Sequence, residues 1–194
     1  HYNLYHFWDW HYPFTIKIFL LSGAGTTGGN PRMTRLYLLC GLPASGKSSL
    51  CRLRQGRIIT ADTIRLGVVG NLGDSKHDEF VWEIALKATE YFLPQQDVYY
   101  DATNSSKKRR APFISLAKEM GKEVVCLWVA TPKKSCLQQN TQRGNNLPAW
   151  VIENVANSFE EPSFNEGFTW IERWITTSGG FIGQHIYPDQ ITRK

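Results

Sequence analysis

Short apolar runs and longer amphipathic stretches alternate along this chain from Met33 onward. Arg35-Leu36-Tyr37-Leu38-Leu39-Cys40 has the length and character of a buried strand. Ser48-Ser49-Leu50-Cys51-Arg52-Leu53 reads as a helix, and Arg57-Ile58-Ile59-Thr60 as a second short strand that ends at Ala61-Asp62-Thr63-Ile64-Arg65. Between Asp78 and Leu93, the apolar positions Val81, Ile84, Ala85, Ala88 and Phe92 fall on one helical face, and Pro94 closes it. Asp97–Ala102 is the next strand. Phe113, Ile114, Ala117 and Met120 mark a further helix, with Gly121 placed to end it. Glu123–Val129 is another strand. Thr131 is positioned to cap a helix with Pro132 at its first position, and that helix runs out at Arg143-Gly144-Asn145-Asn146. Pro148 opens the next, with Val151, Ile152, Val155, Ala156 and Phe159 inward, and Phe168–Ile175 supplies a last strand. The alternation predicts an α/β domain around a parallel sheet.

Between the first strand and the first helix lies Gly41-Leu42-Pro43-Ala44-Ser45-Gly46-Lys47-Ser48, a complete G-x-x-x-x-G-K-S loop. Gly41 and Gly46 permit backbone turns that a side chain would obstruct, so successive N–H groups can converge on phosphate oxygens. The helix that follows presents its positive end. Lys47 reaches toward β- and γ-phosphates in such a loop, and the Ser48 hydroxyl is a Mg²⁺ ligand. Pro43, Ala44, Ser45 and Ser49 complete the nucleotide-contacting set. The pattern points to a nucleoside triphosphate.

Ligands of a parallel sheet sit beyond the carboxyl ends of its strands. The phosphate loop, Asp62, Asp101 and the turn after Val129 all fall at such ends. For Asp62 a helix-capping role is the competing reading, and for Asp101 a solvated turn.

Composition alters the picture little. At 194 residues with 42% hydrophobic and 20% charged residues, the chain has the make-up of one globular domain. Its net charge of +5 is compatible with anionic ligands without demanding them. Cys40, Cys51, Cys126 and Cys136 form no C-x-x-C pair, so the expectation is a reducing, cytoplasmic setting. Residues 1–32 differ in kind. They crowd Tyr2, Tyr5, Phe7, Trp8, Trp10, Tyr12 and Phe14 together, then continue through Phe14–Leu21 into a Gly/Thr-rich link. That apolar run is too short to span a bilayer and contains Lys17, so no membrane role is expected. The expected division is a mistranslated leader over 1–32, a catalytic domain over 33–176 starting at Met33, and a tail over 177–194. An aromatic docking segment is the alternative reading of 1–32.

Five segments in order now carry a resemblance: Gly41–Ser48, Ala61–Arg65 (ADTIR), Tyr100–Arg110 (YDATNSSKKRR), Gln139–Gly144 (QNTQRG) and Glu160–Phe168 (EEPSFNEGF). Together they resemble the polynucleotide 5′-hydroxyl kinase branch of P-loop kinases, which shares its scaffold with zeta-toxin-like enzymes. The resemblance implies a P-loop kinase fold, a three-layer αβα sandwich with a five-stranded parallel sheet and a helical lid. It implies ATP and Mg²⁺ as cosubstrate and cofactor, and a nucleic-acid 5′ end as the acceptor partner. By the same resemblance Asp62 is the general base, and Arg65, one turn on, grips an acceptor phosphate. Asp101 joins Ser48 near Mg²⁺, Asn104 completes the acceptor motif, and Arg143 is the lid arginine over the phosphates. One turn before Arg143, where many relatives have a second arginine, stands Gln139. Lys107-Lys108-Arg109-Arg110 is read either as a guide for a nucleic-acid strand or as a solvated cluster. A small-molecule or nucleotide-sugar kinase is the alternative activity, and an NTP-binding regulatory module a third reading that needs no acceptor-side base.

Overall fold

A computed structural model describes residues 33–71, 76–142 and 147–188. The stretch expected to be a leader (1–32), Arg143 and the last residues of the tail lie outside the described residues. The chain runs β1 (Arg35–Cys40), α1 (Lys47–Arg52), β2 (Arg57–Thr60), α2 (Ala61–Val69), α3 (Asp78–Phe92), β3 (Val98–Asp101), α4 (Lys107–Glu119), β4 (Glu123–Val129), α5 (Lys133–Thr141), α6 (Ala149–Ser158), β5 (Trp170–Thr177) and β6 (Gly180–Ile186). The sheet order is β2-β3-β1-β4-β5-β6. The first five strands pair in parallel, as the alternation of elements requires, and β6 pairs antiparallel to β5.

Side-chain alternation along β1 builds both faces. Leu36, Leu38 and Cys40 join Ala85 of α3 and Phe113, Ile114 and Ala117 of α4 in the larger core. Tyr37 and Leu39 turn the other way, onto Cys51 of α1 with Tyr99, Val125 and Leu127. Tyr37 and Tyr99 stack there with centroids 4.5 Å apart. Helices thus cover both faces, giving the three-layer P-loop kinase fold. All four cysteines are buried and free, as expected of small core residues.

Three expectations change. The sheet has six strands where five were expected, because Gly180–Ile186 of the tail folds back along β5. Gly183 lies under the Trp174 ring, where any added Cβ would clash. Thr131 does not cap α5; its hydroxyl donates to the Ser45 carbonyl at 2.9 Å, and Pro132 stands at the cap without a side-chain bond. The Lys107–Arg110 run is not one patch. Lys107, Lys108 and Arg109 are exposed, but Arg110 is fully buried. Its guanidinium forks onto Glu166 at 2.6 and 2.9 Å and donates to the carbonyls of Asn104 and Glu160. A buried arginine is tolerated because its donors meet acceptors and its charge meets a carboxylate. This joint ties α4 to the turn that follows α6.

Candidate active site

The phosphate loop closes on itself. Ser45 N–H donates to Leu42 O, and Gly46 takes φ +102° before α1 begins. Only glycine adopts that conformation without strain. Ala44, with φ 60°, is the loop's non-glycine residue at positive φ, a strained backbone of the kind that clusters at ligand sites. Lys47 is buried, and its ammonium donates to Gly41 O at 3.0 Å and Leu42 O at 2.7 Å. Burial pushes its pKa down and the nearby Asp101 carboxylate opposes that. Ser45 Oγ is buried with no hydrogen-bond partner, and Ser48 and Ser49 are exposed. Since α1 has six residues, its dipole adds little. The loop's own amides and Lys47 make the cradle.

Asp101 ends β3, beside the phosphate loop. Burial raises its carboxyl above the ordinary value, opposed by a hydrogen bond with Ser48 and by the Lys47 ammonium. One carboxylate and one hydroxyl suit Mg²⁺, which keeps several waters and takes its remaining oxygens from phosphates. Among the described residues no cluster of three or more His, Cys, Asp or Glu side chains could hold a metal alone. The donor set therefore fits Mg²⁺ held jointly with a nucleotide. Asn104 sits nearby with φ 45°, and its amide donates to Leu39 O at 2.7 Å. Gly41 N–H donates to Thr103 O, so the segment after β3 is stitched to the start of the phosphate loop. The Asn104 amide nitrogen serves the scaffold.

Opposite lies α2. A cleft of about 650 Å³ is lined by Lys47, Ser48 and Asp101 on one side and by Asp62, Arg65, Asp78 and Arg109 on the other. Its size suits a nucleotide with an acceptor group. Asp62 is 75% exposed, and its charge acts on both Lys47 and Asp101 across the cleft. Arg65 donates to Asp62 at 3.1 Å, as the three-residue spacing predicts, and to Asp78 at 2.6 Å. Its Nε is buried with no partner. Arg109 approaches the other Asp78 oxygen at 3.8 Å. The structure thus brings together Asp62, Arg65, Lys47, Ser48 and Asp101. Gln139 is half-buried on α5. Sequence reasoning missed Asp78 and Arg109 as cleft residues, and Thr131 and Thr176 as partners of the phosphate loop. The burial of Arg110 was missed as well, although its place on the helical stripe of Phe113, Ile114 and Ala117 is the signal that could have found it.

A family model described as an AAA domain, AAA_33, matches residues 36–162. The chain belongs to that family. The match takes in this AAA domain's phosphate loop, Asp62, Arg65, Asp101 and Asn104, and stops before β5 and β6. A curated relative, L-seryl-tRNA(Sec) kinase of Methanococcus maripaludis, is 27% identical over 140 residues, covering 66% of this chain and 53% of the relative. The AAA domain thus spans about half the length of that relative. Among solved structures, the Pnkp1/Rnl/Hen1 RNA repair complex contains a chain similar at TM-score 0.56 and 19% identity, covering 69% of this chain and 46% of that one. Chaetomium thermophilum Kti12 in complex with ADP-AlF3 matches at TM-score 0.56 and 21% identity, covering 74% of this chain and 92% of that one. At these identities the structural likenesses are of fold. No helix among the described residues is long and apolar enough to cross a membrane.

Proposed function

We propose that this chain is an ATP-dependent kinase that transfers a phosphoryl group to a hydroxyl, and that the hydroxyl is the 5′ end of RNA or DNA. One observation carries the reading: the Asp62–Arg65 pair faces Lys47, Ser48 and Asp101 across a single cleft. A switch that only binds and hydrolyses nucleotide has no use for an exposed carboxylate and a half-paired arginine on that wall. Phosphoryl transfer needs positioning and charge neutralisation more than covalent help. Lys47, released from its carbonyl partners, provides a cation for the nucleotide's phosphates. Asp62 Oδ accepts the proton of the attacking hydroxyl as the new O–P bond forms and ADP leaves. Arg65 holds an acceptor phosphate through its fork. Ser48 and Asp101 would hold Mg²⁺, which when bound supplies charge neutralisation at the phosphates. Arg143 is assigned by resemblance to the same charge.

The relation to L-seryl-tRNA(Sec) kinase favours a second reading, in which the acceptor is the seryl hydroxyl of an aminoacylated RNA. Labelled ATP incubated with 5′-hydroxyl RNA, 5′-hydroxyl DNA, seryl-tRNA and small hydroxyl compounds separates the possibilities. Label on a 5′ end is the expected result. Label on the seryl group or on small compounds alone replaces the polynucleotide reading, and phosphate release with no labelled acceptor removes the kinase reading.

A further inference from the structure

We infer that Thr176, with Thr131, is a positioning residue of the nucleotide site: the two hydroxyls lock the Ser45–Gly46 peptide so that its N–H faces the bound phosphates. This rests on the reading of the loop as an ATP site and adds β5 to it. Thr176 Oγ1 donates to Ser45 O at 2.7 Å and Thr131 Oγ1 donates to the same oxygen at 2.9 Å. Thr176 N–H in turn donates to Thr131 Oγ1 at 3.1 Å, so the Thr131 hydroxyl is itself held in place. Ser45 is fully buried and Thr131 is 3% exposed, so water does not substitute easily for either bond.

The consequence follows from peptide geometry. The C=O of Ser45 and the N–H of Gly46 belong to one planar trans unit and point in opposite directions. Fixing the carbonyl on the β5 side fixes the amide on the other. Without that restraint the peptide is poorly determined, because Gly46 at φ +102° has the freedom to rotate it. The same contact explains why Gly46 cannot acquire a side chain: a Cβ there would lie 2.5 Å from Thr176 Oγ1.

A second contact fastens β5 to the far end of α1. Arg54 donates to the buried Glu172 carboxylate at 2.7 Å, and Trp174 Nε1 reaches the same oxygen at 3.1 Å. The strand therefore holds α1 at both ends, through Thr176 at the start and Glu172 at the finish. Both residues lie beyond the stretch that matches the family model.

The test compares wild type, Thr176→Val and Thr176→Ser in the full chain, by calorimetry of Mg·ATP binding and amide hydrogen exchange over residues 41–50 without nucleotide. Melting temperatures are recorded for all three. Valine keeps the shape and removes one donor, so Mg·ATP should bind about 3- to 10-fold more weakly, the worth of one neutral hydrogen bond. Exchange at the phosphate loop should quicken, and serine should restore both. Acceptor KM, measured at saturating ATP, should stay unchanged in both variants. Equal weakening by valine and serine would mean that the methyl packs and the hydroxyl does nothing, which overturns the inference. Wild-type binding that is indifferent to Thr176→Val overturns it alone, whereas no Mg·ATP binding by wild type overturns the kinase reading and the inference together.

Discussion

The two walls of the cleft are built on opposite plans. On the phosphate-loop wall, Ser45 and Lys47 are buried, the loop is stitched to Thr103, Thr131 and Thr176, and the backbone conformations are specific to their residues. On the α2 wall, no residue of the helix is buried, and Leu66 and Val68 are about half exposed. Asp62 reaches into solvent, and Arg65 divides its guanidinium between two carboxylates with Nε unused. Apart from the Lys47 ammonium, which must leave two carbonyls, one wall is set before any ligand arrives. The other has its charges in place but balanced against each other, so an anionic acceptor must displace Asp78 or Asp62 to be held. Pre-organised binding loses little on association, whereas exchange of one ion pair for another yields a smaller net gain. The difference teaches that affinity should be concentrated on the nucleotide and discrimination on the acceptor.

Three substitutions sharpen or break that contrast. The largest effect should come from Asp62→Asn, which keeps size and removes the base. Turnover with a hydroxyl acceptor should fall about 10²–10⁴-fold, the usual worth of general-base assistance, while calorimetry finds ATP affinity near wild type. A parallel loss of ATP binding would mean that the walls are not independent. Next is Arg65→Ala. It should raise KM about 10- to 100-fold for a 3′-phosphorylated nucleotide acceptor, in line with a charge-assisted hydrogen bond, and much less for the nucleoside. Equal effects on both acceptors would favour a small-molecule kinase.

The smallest effect concerns pH on the phosphate-loop wall. Burial raises the Asp101 pKa, so its protonated form persists above the ordinary carboxylate range. In the nucleotide-free protein this group favours the fold at low pH, and that contribution is lost as pH rises through the raised value. Mg²⁺ binding has the opposite sign, because it needs the carboxylate. The Mg²⁺-dependent gain in ATP affinity should therefore shrink on acidification from neutral pH, a slope that Asp101→Asn should flatten. Identical slopes in wild type and Asp101→Asn would remove Asp101 from the metal site.

What the sequence disclosed follows the same division. The phosphate loop was legible because its chemistry is written in consecutive residues, and Asp62 with Arg65 because one helical turn separates them. β1, β3 and β4 were legible from burial on both faces, which makes their apolar runs continuous, whereas the less buried β2 and β5 followed from their place in the alternation of elements. β6 was not, since Phe181-Ile182-Gly183-Gln184-His185 is mostly exposed and is held by its ladder to β5 and the Trp174 ring over Gly183. The role of Thr131 was misread because its local setting before Pro132 is that of a cap. Its true partner, Ser45, stands 86 residues earlier. Thr176 lies 131 residues from the same carbonyl, and a threonine near a strand end has no local mark of such a partner. Long-range polar contacts of this kind leave no periodicity to read.

The place of β1 in the sheet sets the order in which a ribosome can complete this molecule. β1, the first strand among the described residues, takes an interior position, between β3 and β4. Its register partners Val98–Tyr100 and Glu123–Trp128 emerge some sixty to ninety residues later. Until then Leu36, Leu38 and Leu39 are an apolar segment with two unpaired edges, the kind of surface that chaperones cover and that aggregates when they do not. Refolding from denaturant meets the same delay, because pairings distant in sequence form slowly. A yield of active protein that falls as concentration rises during refolding is the signature to look for.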